Sequence, residues 1–305
     1  MLFGIAIVMV MGLLAGEICK KLHLPSLIGM LAVGIIAGPY VLDLIDGKIL
    51  EISAELRKIA LIIILMRAGL SLDMSALKKN GRPAVLMCFV PACFEMLGMI
   101  LLAPHFLKIS RLEAAITGAV VGAVSPAVIV PKMLKLTDEG YGAKNAIPQL
   151  IMAGASVDDV FVIVVFSVFC GLEQTRKMSV LKFAQIPVSI IFGIAAGLFC
   201  GFVSGKIFQR IHIRDTVKII LLMSLSFLFA AFEDAFGNVI PFSAMIAVMC
   251  MGISIQKVKP CLAARLSERY GKLWVFFEIL LFVLVGACVN IKYAIKAGFS
   301  SVILI

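Results

Sequence analysis

The chain has 305 residues, 62% of them hydrophobic and only 15% charged, with a mean hydropathy of +1.11. Apolar runs near the ~20 residues that span a bilayer as a helix recur throughout, and the period-2 alternation of a membrane barrel is missing. A soluble globular domain is excluded; the expected class is all-α, a polytopic transmembrane helical bundle in a lipid bilayer.

The first run, MLFGIAIVMVMGLLAGEI, has no basic stretch before it and no clear small-residue cleavage site. It reads as a retained spanning helix over 2–18, not a secretory signal. Further spans are expected over 24–42, 57–72, 83–104, 112–131, 146–170, 182–205, 217–235, 239–255 and 273–291, with an eleventh starting near 293. The net charge of +10 would suggest nucleic acid in a soluble protein, but here the basic residues gather in short loops, and no nucleic-acid partner is expected. Lys20 and Lys21 follow the first span, Lys78, Lys79 and Arg82 the third, and Lys132, Lys135 and Lys144 the fifth. Lys206, Arg210, Arg214 and Lys218 follow the seventh, and Lys257, Lys259, Arg265, Arg269 and Lys272 the ninth. These loops outweigh the alternate ones, which predicts them cytoplasmic and the N-terminus outside, in a bacterial inner membrane. The last thirteen residues, YAIKAGFSSVILI, would rise only ~20 Å as a helix against a ~30 Å hydrocarbon core, so a C-terminally truncated fragment is expected.

The eight cysteines stand singly, mostly inside apolar runs, and no CxxC occurs. They read as small buried hydrophobes, neither a disulfide frame nor a metal site. The three histidines are scattered and form no zinc constellation. No GxxxxGK[ST] loop is present, so ATP-driven pumping has no support and no cofactor is expected.

Ionisable groups deep in a bilayer cost several kcal/mol and mark function. The foremost pair is Asp158–Asp159 in GASVDDVFVIVVF. Successive helical residues point about 100° apart, so the two carboxylates cannot converge on one atom. One can bind an ion while its neighbour takes another partner. Burial and a nearby cation act on a carboxyl in opposite senses, and a group poised between them can exchange a proton for a hard monovalent cation such as Na⁺ or Li⁺. Neighbouring hydroxyls such as Ser156 would add oxygen ligands.

Directly before that span lies GAVVGAVSPAVIVPKML, residues 118–134. Pro126 removes a helix hydrogen bond and clashes with the carbonyl four residues back, at Gly122. A broken membrane helix is tolerated where it lines a cavity or is covered by protein, and transporters use its backbone ends to handle ions. Gly118 and Gly122 have the spacing that lets helices approach closely. Glu95, in PACFEMLGMI, sits near the middle of its expected span and needs a cation or a proton. Arg67 lies near a span end and is expected to snorkel.

In order, the stretches RAGLSLD, PACFE, GAVSPAVIVPKML, GASVDDV and EILLFVLVGACVNI resemble the monovalent cation/proton antiporters, most closely the paired-aspartate NHA-type branch. The resemblance runs from the first span to residue 305. It implies a homodimer and a two-part fold within a single membrane domain over 1–305. Residues 1–75 would hold the dimerisation-side helices with the start of the core. Residues 76–172 would form the first core repeat, with the broken helix at 112–131 and the aspartate helix at 146–170. Residues 182–305 would hold later helices, incomplete at the C-terminus. It also implies an ion site at Asp158 and Asp159, the second being the stronger cation ligand, a transient Na⁺ or Li⁺ site. Ser125 and Pro126 would mark the first broken helix. Glu95 would match a mid-membrane acid that pairs with an arginine, and that arginine, a core lysine and the second broken helix would fall beyond Ile305.

The function expected is secondary active exchange of Na⁺ or Li⁺ for H⁺ by alternating access, with monovalent cations and protons as its partners; an enzyme is not expected. The alternatives are proton-coupled potassium efflux and a non-transporting truncated fragment. An intramembrane aspartyl protease needs two carboxylates converging on one bond. Adjacent helical residues diverge, and the chain reads GASVD where that class would show GxGD.

Overall fold

A computed structural model describes residues 2–72, 81–142, 146–175, 180–211, 213–237 and 240–291. Among them there are thirteen helices and no strand. They are α1 (Leu2–Lys21), α2 (Ser26–Ala37), α3 (Gly47–Glu51), α4 (Ser53–Ser71), α5 (Gly81–Met87), α6 (Val90–Leu107) and α7 (Arg111–Val121). Then follow α8 (Pro126–Asp138), α9 (Ile147–Thr175), α10 (Val180–Arg210), α11 (Asp215–Phe236), α12 (Ala244–Val258) and α13 (Pro260–Ala287). Among the described residues six segments are long and apolar enough to cross a membrane: 3–21, 90–107, 111–138, 187–210, 215–236 and 260–287. The second expected span contains the shorter α2, and the ninth overlaps the shorter α12, which runs on to Val258. The start expected near 293 lies outside the described residues.

Two expectations change. The span at 83–104 is two helices, α5 and α6, separated at Cys88 and Phe89. The basic loop expected before residue 273 is largely the first turns of α13, which starts at Pro260. Pro at a helix start needs no N–H and is pre-set in φ. Behind it Leu262, Ala263, Leu266 and Tyr270 recur at helical spacing and are buried, while Arg265 and Arg269 occupy the other face. Charge had masked a helix.

The chain divides into two compact units. One contains residues 2–63 and 271–291, the other 64–270. In the first, α1 packs on α2, and Gly34 of α2 meets the Val283 carbonyl of α13 so closely that a Cβ would overlap it.

In the second unit, α12 is buried continuously from Ile246 to Ile255, as an all-round apolar helix should be. α10 lies against it along Gly193, Gly197, Gly201 and Gly205, one small residue per turn. Any Cβ at Gly197 or Gly201 would run into the carbonyls of Ala247 or Met251. This is the close packing that small residues permit where the hydrophobic effect cannot drive helices together. The Ser254 hydroxyl reinforces the contact by donating to the Leu198 carbonyl at 3.0 Å.

Candidate functional site

α7 begins with a reciprocal cap. The Ser110 N–H donates to Glu113 Oε2 at 2.7 Å, and the Glu113 N–H donates to Ser110 Oγ at 3.2 Å. The helix closes at Val121, with the Gly122 N–H bonded to the Gly118 carbonyl at 2.9 Å. Residues 122–125 are non-helical, and α8 restarts at Pro126. The proline is therefore not a kink inside one helix but the first residue of the next, where its missing N–H costs nothing. Ser125 is the exposed N-cap residue; its carbonyl accepts from Val128 and Ile129, and its hydroxyl makes no capping bond. Gly118 faces α6 as its spacing predicts, with a Cβ there falling 2.9 Å from Met99 Cβ.

Into this interruption reaches Asp158 of α9. It is 4% exposed. Its Oδ2 accepts the backbone N–H of Val124 at 3.2 Å, while Oδ1 is buried with no hydrogen-bond partner among the described residues. The same face of α9 meets the α5–α6 junction. A Cβ on Gly154 would sit 3.2 Å from Met87 Cβ, and Phe161 stacks edge-on against Phe89 with centroids 5.3 Å apart. Below, Val162 and Val165 join Ala92, Met96 and Ala119 in one apolar cluster. The aspartate is thus the polar end of an apolar three-helix contact.

The other expected residues fall differently. Ser156 and Asp159 lie on α9, and their side chains are outside the described set. Glu95 is exposed, on the flank of α6 beside its buried Ala92, Met96, Met99 and Ala103 stripe, and no hydrogen bond or ion pair reaches it among the described residues. Arg67 is half-buried within α4, between the fully buried Met66 and Ala68. The α5–α6 interruption was not anticipated, although its signal was present: Pro91 has no N–H to offer the Met87 carbonyl, the argument already applied to Pro126.

The profile of the family "Sodium/hydrogen exchanger, transmembrane" matches residues 5–305. Sodium/hydrogen exchanger 9B2 of Homo sapiens is 33% identical over 303 residues, covering 95% of this chain and 55% of that protein. Sodium/hydrogen exchanger 9B1 of Homo sapiens is 27% identical over 303 residues, covering 95% of this chain and 58% of its own length. The chain thus spans little more than half the length of these relatives. The fold is similar to that of the sodium proton antiporter MjNhaP1 from Methanocaldococcus jannaschii, with a TM-score of 0.77 at 21% identity, covering 94% of this chain and 70% of that one. A multi-pass helical membrane protein with these motifs in register and this profile over nearly its whole length belongs to the sodium/hydrogen exchanger family.

Proposed function

We propose that the protein exchanges Na⁺ or Li⁺ for H⁺ across a membrane by alternating access, with protons and cations competing at Asp158 and Asp159. The observation that carries this is the buried Asp158 carboxyl beside the interrupted helix, with Oδ1 unpartnered among the described residues. A buried carboxylate with one oxygen unpaired is costly. A proton or a cation each relieves that cost, and these are the two loaded states of an exchanger. Asp159, one residue on, is assigned cation ligation; Ser125, Pro126, Ser156 and Glu95 are assigned supporting roles. That the relatives are sodium/hydrogen exchangers favours sodium over potassium.

The proposed assembly is a homodimer formed on the side of residues 1–75, with 76–172 as the first core repeat and 182–305 as later helices. The loop charges favour an N-terminus outside a cell membrane. A bacterial setting draws no support from the curated relatives compared, which are animal proteins. In proteoliposomes carrying the full natural chain, a pH-gradient dye should respond to added Na⁺ or Li⁺. An Asp159→Asn variant that responds like wild type removes Asp159 from the site.

A further inference from the structure

We propose that Cys88, in the interruption between α5 and α6, forms a wall of the ion site opposite Asp158 and sets its preference among small cations. The inference rests on Asp158 being an exchange site. Its geometric basis is a bracket. Met87 lies against Gly154 and Phe89 against Phe161. Asp158 is four residues after Gly154 and three before Phe161, hence on the same helical face, and Cys88 is the residue between Met87 and Phe89. Two contacts one residue to either side bring the chain at Cys88 alongside Asp158.

Both groups are buried, Cys88 at 8% and Asp158 at 4% exposure, and the unpartnered Oδ1 belongs to the latter. Asp158 stands between two helix interruptions, at 88–89 and 122–125, and each is followed by a proline in the first turn of the next helix, Pro91 in α6 and Pro126 in α8.

The chemistry of this wall is unusual for a hard ion. Na⁺ and Li⁺ are satisfied by oxygen, whereas sulfur is a soft ligand. A thiol at this position fills volume and supplies little coordination, leaving the ion to carboxylate and backbone oxygens. Serine is nearly isosteric and offers a hydroxyl oxygen in the same place. The smaller, harder Li⁺ gains most from that exchange.

The test uses the full natural chain purified in detergent, with Li⁺- and Na⁺-dependent thermal stabilisation titrated for wild type, Cys88→Ser, Cys88→Ala and Asp158→Asn. Labelling of Cys88 by methyl methanethiosulfonate, read by peptide mass spectrometry, is followed with and without Li⁺. Cys88→Ser should lower the Li⁺ midpoint about three- to tenfold, and the Na⁺ midpoint less. Cys88→Ala should lower neither, and Li⁺ should slow labelling of Cys88. A purely structural role would move the ion-free melting temperature and leave the midpoints alone. Midpoints for Cys88→Ser within about twofold of wild type for both ions overturn the inference; if that variant does not fold, unprotected labelling of wild-type Cys88 overturns it. Loss of ion response in Asp158→Asn alongside either result leaves the exchange site standing. No ion-dependent stabilisation of wild type removes both.

Discussion

The Val124 N–H and Asp158 Oδ2, 34 residues apart in sequence, meet at 3.2 Å inside the gap between α7 and α8. One carboxylate oxygen thus holds the broken helix in place, while the other has no partner among the described residues. Asp158→Asn keeps an acceptor for Val124 and removes the charge. It should fold with stability within about 1 kcal/mol of wild type and lose Na⁺- and Li⁺-dependent dye signals. Asp158→Ala leaves the Val124 N–H unmet and should cost a further ~1–3 kcal/mol in chemical denaturation. A fully ion-responsive Asp158→Asn would contradict the assignment.

Pro126 gives a test of whether the break is a start or a kink. At the first position of α8 its missing N–H is of no consequence, so Pro126→Ala should destabilise only slightly, by about 0.4–1 kcal/mol through the looser unfolded chain. A proline straining a continuous helix would instead yield a gain approaching ~3 kcal/mol on replacement. Thermal unfolding separates the two by sign.

Gly201 decides how closely α10 approaches α12. Gly201→Leu must push a side chain into the Met251 carbonyl and Ser254 Cβ, so a loss of ~1–3 kcal/mol or more is expected. Gly47→Ala, with nothing within 4 Å of the added carbon, is the control and should stay within ~0.5 kcal/mol. Equal effects at the two sites would deny the glycine row its packing role.

Asp215 opens α11 and answers three cations: Lys218 at 3.1 Å, Arg265 at 3.4 Å and Arg269 at 3.8 Å. They line a cavity of about 630 Å³ with Arg214 and Lys259. Lys218 is 5% exposed, so Asp215→Asn leaves a buried ammonium beside other positive charge and should cost ~3–5 kcal/mol. Lys218→Met removes the buried charge itself and should cost less. Added salt should recover part of the Asp215→Asn loss, since Arg265 and Arg269 are half-exposed or more. Melting curves at low and high ionic strength check both statements, and a Lys218→Met variant weaker than Asp215→Asn would reverse the assignment.

Composition and local chemistry alone determined that this chain is an all-helical membrane protein, that its helix breaks at Pro126, and that two adjacent aspartates interrupt an apolar run. Those features depend on hydropathy and on backbone hydrogen bonding within a few residues, and both can be read in order along the chain. Only the tertiary structure decided that Asp158 reaches Val124, that the α5–α6 junction faces it, and that Glu95 lies on the exposed flank of α6. Such neighbours are chosen by which helix faces fit together. That fit is set by small residues such as Gly154 and Gly118 admitting a partner's backbone, and spacing in one dimension does not say which partner arrives. The start of α13 belongs to the same class: Arg265 and Arg269 looked like loop because their charge outweighed a buried Leu262–Leu266–Tyr270 face that acquires meaning only once something packs against it.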